Sequence, residues 1–307
     1  MRLSNSPALR LRILSVALML TAAAACRPGN DEARRIIAAC DGGNLTACDT
    51  LSVKLLKGEY VLQDPPRAAA LLQSACDGSV ADSCTRLGGL YLAGTGVTRD
   101  SARAPGLFTR GCDGGAMAGC TSLGLLHRKG DVVAKDPVRA AALFKQACDG
   151  GEMPGCAQFG MLSASGEGTK QDFALAATLF TKSCKAKAFA GCVGLGTLHA
   201  SGTGAQRSDS LATDLFKRAC DERDAEGCYQ LGRSHERGAG VTQNFTRAAE
   251  LYRRSCDAGA GSGCWGLSAL YQKGAGVRQD SSRARTFQQR ACTLGAPEAC
   301  PPPQRGS

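Results

Sequence analysis

The sequence predicts an all-α protein, an α/α solenoid of 36-residue helical hairpins. Three observations predict it. After Cys26, cysteines fall at 40, 48, 76, 84, 112, 120, 148, 156, 184, 192, 220, 228, 256, 264, 292 and 300, alternating between spacings of 8 and 28 without an insertion or deletion. A fixed period of this size marks a stacked array of helical hairpins. Within each period the apolar residues recur at helical spacing, and an unbroken column of glycines (Gly58, Gly94, Gly130, Gly166, Gly202, Gly238, Gly274) punctuates it.

The first helix of each hairpin, helix A, opens at a cysteine. Three residues on stands Leu51, Leu87, Leu123, Phe159, Leu195, Leu231 or Leu267; the next position is Gly or Ser; the seventh is Leu55, Tyr91, His127, Ser163, His199, His235 or Tyr271. Offsets 0, 3, 4 and 7 share one face at 3.6 residues per turn. The glycine column then ends helix A, since glycine takes the left-handed conformation of a helix stop without penalty. A turn such as "GTGV" or "GAGV" follows, and then an aspartate (Asp64, Asp100, Asp136, Asp172, Asp280) suited to cap helix B. Asp64-Pro65 and Asp136-Pro137 add proline at the first helical position. Helix B, as in "RAAALFKQAC", runs to the next cysteine, and Pro105 is expected to tighten or kink the start of one copy. Seven full hairpins are expected at 48–76, 84–112, 120–148, 156–184, 192–220, 228–256 and 264–292, with partial units flanking them in an array over 31–300.

The stretch "GCTSLGLLHRKGDVVAKDPVRAAALFKQACDGG" resembles the Sel-one-like repeat family, whose hairpins are related to the tetratricopeptide repeat. The paired cysteines are similar to its exported, cysteine-rich Hcp-type branch. The resemblance implies a tetratricopeptide-like superhelix. It departs from the pattern at Pro105, at "CKAKAFAGC", and at the final unit, which stops at Cys300.

Each cysteine ending helix B precedes, by eight residues and a short turn, the cysteine opening the next helix A. Two antiparallel neighbours thus present sulfur across one bend, a geometry that suits a disulfide. Closing so short a loop stabilises by roughly 2–3 kcal/mol in the chain-entropy picture. Zinc is the rival, but four thiolates would have to come from two repeats whose helices stack about 8–10 Å apart. The expected pairs are Cys40–Cys48, Cys76–Cys84, Cys112–Cys120, Cys148–Cys156, Cys184–Cys192, Cys220–Cys228, Cys256–Cys264 and Cys292–Cys300. So many paired cysteines point to an oxidising compartment.

The N-terminus agrees. Arg2, Arg10 and Arg12 precede an apolar run from Ile13 to Leu20 and the small residues before Cys26, the pattern of a secretory signal peptide over 1–25. "AAAC" at 23–26 also resembles a bacterial lipobox, although Ala23 stands where that motif usually carries leucine. The alternative is simple cleavage beside an incidental cysteine. Cys26 is left over once sixteen cysteines pair, and lipidation explains it. The expected order is signal peptide, a short anchor at 26–30, the array, and a disordered tail at 301–307. Arg27 after the lipidated cysteine resembles outer-membrane sorting, so the expected location is the periplasm, with membrane contact only through the N-terminal lipid.

The chain carries a formal charge of +10, yet its cations form no consecutive block and no aromatics interleave with them. Nucleic-acid binding is not indicated. His127, His199 and His235 occupy a slot that also accepts tyrosine, leucine and serine, which marks packing, and no metal or cofactor is expected. The Hcp-type resemblance implies, for some members, β-lactamase or penicillin-binding activity on a peptidoglycan-related ligand. The sequence offers no S-x-x-K, "SDN" or "KTG" to carry it, so no catalytic residue is assigned and a weak amide hydrolase is kept as the alternative. Binding has more support. Offsets 1, 5, 8 and 9 of helix A vary between repeats and supply Arg128, Lys129, Tyr229, Arg233, Glu236, Arg237, Trp265 and Lys273, a candidate surface for an envelope protein or peptide.

Metabolic labelling with a lipid precursor tests the N-terminal expectation. The wild-type chain should incorporate label and Cys26→Ala should not; equal labelling refutes it.

Overall fold

Short amphipathic helices stopped by glycine and restarted by aspartate dictate the architecture. The computed structural model describes residues 28–300, with side chains from residue 31. The expected signal peptide, Cys26 and the 301–307 tail lie outside the described residues. Among these, fifteen α-helices and two 3-10 turns occur, and no β-strand.

Helices of type A are α2 (Leu45–Lys57), α4 (Ala81–Ala93), α6 (Met117–Lys129), α8 (Met153–Ser165), α10 (Phe189–Ser201), α12 (Ala225–Arg237) and α14 (Gly261–Lys273). Helices of type B are α1 (Pro28–Asp41), α3 (Pro65–Asp77), α5 (Ala104–Asp113), α7 (Pro137–Asp149), α9 (Phe173–Lys185), α11 (Asp209–Asp221), α13 (Phe245–Asp257) and α15 (Ser281–Thr293). Each helix A starts three residues ahead of its cysteine, as Leu45 does before Cys48. The chain forms two compact units, one through Leu123 and one from Gly124. In the second unit consecutive helices pack on one another, and α8, α10, α12 and α14 stand side by side.

The ends follow the sequence chemistry. Gly58 sits at φ 71° and donates its N–H to Lys54 O, closing α2. Asp136 accepts the Arg139 N–H at 2.9 Å, and Ser208 and Asn244 cap α11 and α13 where aspartate is missing. Pro105 lies in the first turn of α5, behind a 3-10 turn at Ser101–Arg103, where a helix has no use for its missing N–H. After α15 the chain makes only the 3-10 turn Pro297–Ala299.

Inside the five central hairpins the two helices meet through a glycine and a ring. A Cβ added at Gly88 would fall 2.7 Å from the Phe108 ring, at Gly124 2.6 Å from Phe144, at Gly196 2.6 Å from Phe216, and at Gly232 2.7 Å from Tyr252. These rings are buried to within 4% of their full exposure. The first and last hairpins carry Ser52 and Ser268 instead of glycine, and there helix B carries Leu72 and Gln288 instead of an aromatic residue. Bulk is thus exchanged across the interface at constant fit, as dense packing requires.

Gly88→Ala should therefore cost about 1–3 kcal/mol by overpacking. Combined with Phe108→Leu, the loss should be smaller than the sum of the two single losses. Denaturant unfolding of the four-variant cycle checks this; strict additivity refutes the packing account.

Candidate binding groove

The helix A face is positioned by what happens at the turn before it. In the structure Cys40–Cys48, Cys76–Cys84, Cys112–Cys120, Cys148–Cys156, Cys184–Cys192, Cys220–Cys228, Cys256–Cys264 and Cys292–Cys300 are disulfide-bonded, with Cα–Cα separations of 4.4–4.8 Å. So close an approach leaves little room beside the cysteine. A Cβ at Gly191 would stand 2.5 Å from Ser183 Cβ, and one at Gly227 2.5 Å from Ala219 Cβ. Arginine joins successive repeats at the same level: Arg110 donates to Cys76 O at 2.7 Å, Arg254 to Cys220 O at 2.7 Å, and Arg290 to Cys256 O at 3.1 Å. Each guanidinium adds a second hydrogen bond to a helix C-terminal carbonyl that already accepts one N–H from the following turn, at an end where positive charge is favoured.

On this face α8, α10 and α12 enclose a groove of about 570 Å³. Its walls are Met161 and Ala164 of α8, Ala190, Val193 and Thr197 of α10, and Gln230 of α12, and Phe180 closes its floor. Gly194 rests on that ring, where a Cβ would fall 2.5 Å away, so α10 presents backbone there rather than a side chain. Asp224 and Glu226 stand at the rim. A second hollow of about 270 Å³ adjoins it, lined by Thr197, Ala200, Phe216, Gln230, Arg233 and Arg237. Thr197 and Gln230 belong to both.

The sequence-derived candidates distribute unevenly around these hollows. Arg233 and Arg237 line the second one. Tyr229 is half-buried and packs on the Tyr252 ring, with centroids 5.6 Å apart, and the Arg233 guanidinium lies 5.7 Å from the Tyr229 centroid. Burial pushes the Tyr229 hydroxyl pKa up, and the Arg233 charge opposes that shift. Glu236 is engaged: it accepts the Tyr252 hydroxyl at 2.5 Å. Burial first, and that carboxylate second, push the Tyr252 pKa up, so the ring stays a neutral donor. Trp265 packs on the Cys256–Cys264 pair, Ala291 and Ala299, while Lys273 is exposed on α14. Arg128 donates to Gln158 at 2.7 Å and Lys129 pairs with Asp131 at 2.6 Å, away from the groove.

The apolar walls (Met161, Ala164, Ala190, Val193) were not singled out in the sequence, because small residues at variable offsets carry no signal of their own. His127 and His199 each direct Nδ1 at a loop carbonyl, Ala134 O at 3.4 Å and Gln206 O at 2.9 Å, tying loop to helix. Among the described residues no group of three His, Cys, Asp or Glu is placed to hold a metal ion. What the arrangement can do chemically is bury an apolar side chain beside a charged track.

A c5321 protein of uropathogenic Escherichia coli, described as a protective antigen displaying an SLR fold, is 26% identical with a TM-score of 0.55, over 86% of this chain and 57% of its own. The chain thus spans just over half the length of that relative. A Sel1 repeat protein from Oxalobacter formigenes is 19% identical with a TM-score of 0.64, over 80% of this chain and 96% of its own. The cysteine rich protein B of Helicobacter pylori is 26% identical over 42% of this chain and 93% of its own, with a TM-score of 0.36. No curated protein matches the chain. The Sel1 repeat matches at 51–80, 81–115, 118–152, 155–187, 190–224, 225–259 and 261–295. The chain belongs to the Sel1 repeat family.

Proposed function

We propose that this chain is a non-catalytic scaffold, exported to the bacterial cell envelope and anchored there by lipid on Cys26, that binds a peptide segment of a partner protein along its helix A face. The observation that carries the binding reading is the groove between α8, α10 and α12. Its volume, about 570 Å³, falls within the range of roughly 300–1,000 Å³ common for ligand sites. Its walls are apolar and rigidly held, so little ordering cost falls on binding. Burying one leucine-sized side chain there contributes about 1.5–3 kcal/mol.

Export is supported by the basic and apolar N-terminus and by the number of paired cysteines, both features of the sequence. The description of the Escherichia coli relative as a protective antigen is in keeping with a location outside the cytoplasm.

Peptides selected from a random display library against the mature chain test the reading. Thr197→Arg, at an exposed wall position, should weaken the selected peptides at least tenfold with the helical signal unchanged. Peptides that bind Thr197→Arg as well as wild type would refute the groove as the binding site.

A further inference from the structure

The two hollows share Thr197 and Gln230, so they form one track along α12. Its charges are sorted by end. Asp224 and Glu226 stand at the N-terminal end and Arg233 and Arg237 at the C-terminal end. Between them Gln230 keeps the two signs apart: its Nε2 donates to Glu226 at 2.7 Å and its Oε1 accepts from Arg233 at 3.1 Å. Arg233 is held further by the Tyr229 ring. Arg237 is exposed and paired with no carboxylate among the described residues.

We propose that the track takes an extended peptide that places an apolar side chain over Phe180 and Val193 and a carboxylate on Arg233 and Arg237. This rests on the peptide-binding reading above and specifies its ligand. Guanidinium forks recognise carboxylates with two parallel hydrogen bonds, and Arg237 has its donors free for one. The spacing fits. Glu226 to Arg233 spans about 10 Å of helix at 1.5 Å per residue, and Glu226 to Arg237 about 16 Å. Extended chain covers those spans in about three and five residues. A residue bearing positive charge, an apolar residue and an acidic residue therefore fit in one short segment, running with the sign of the track. A polyanion does not fit, because it would meet Asp224 and Glu226 at the other end.

The test uses the full mature chain with all disulfides intact and a random nine-residue display library. The selected peptides should pair an apolar residue with an acidic one. The strongest is then synthesised with its acidic residue intact or replaced by glutamine. On wild type the glutamine peptide should bind about tenfold more weakly. On Arg237→Ala, a change at an exposed position, the two peptides should bind nearly equally, and Arg233→Gln should act the same way. Affinity for the acidic peptide should also fall as sodium chloride rises. Peptides that are lost on Thr197→Arg yet indifferent to both arginines would overturn this proposal and leave the groove reading intact. Peptides indifferent to Thr197→Arg as well would overturn both.

Discussion

Seven times in this chain the end of one helix and the start of the next are held with Cα atoms 4.4–4.6 Å apart by a disulfide, and an eighth ties the end of α15 to Cys300 beyond the last 3-10 turn. Much of the remaining structure is a consequence of that approach. It requires small residues beside the cysteines, as Gly191 and Gly227 show, and it fixes where helix A must begin. An arginine from the next repeat caps the same carbonyl at three of the junctions. The turns themselves need left-handed backbone, supplied by Gly43, Gly115, Gly151, Gly259 and Gly295, and by Ser79, Lys187 and Arg223 at some strain. Low aromatic content is part of the same solution, since in five hairpins a single ring fills the space that a helix A glycine leaves.

The groove arises by subtraction from this pattern. Gly196 and Gly194 are two residues apart on α10 and both face a ring, Phe216 of the same hairpin and Phe180 of the preceding one. Around Gly196 the contact is closed on every side. Around Gly194 the neighbours are Ala164, Ala190 and Thr197, too short to refill the space, and a hollow is left open to solvent. Stapled helix ends keep that hollow from collapsing, and sorted charge along α12 gives it a direction. Position and polarity thus come from different residues, and substitutions can separate them.

The sequence made the hairpins legible because seven copies act as one another's alignment. The glycine stops, the aspartate caps and the apolar face all recur in register, and the structure places them accordingly. The start of helix A was less visible, since the two residues directly ahead of each cysteine are small or polar and carry no helical period. At the site, charge at the variable helix A offsets points to Arg233 and Arg237, which line a hollow. The same offsets carry Tyr229, Glu236 and Trp265, which the structure engages with Tyr252 and with the Cys256–Cys264 pair. Which aromatic residue packs inward, and which glycine opens to solvent, depends on a neighbour 14 to 36 residues away. No local pattern encodes that.

If the staples set the groove, removing one should loosen its walls and spare distant hairpins. Native-state hydrogen exchange on Cys184→Ala/Cys192→Ala against wild type measures this directly. Opening free energies of the α9 and α10 amides should fall by about 2–3 kcal/mol, while those of α14 stay unchanged. Unaltered protection in α9 and α10, or an equal loss in α14, would contradict the account.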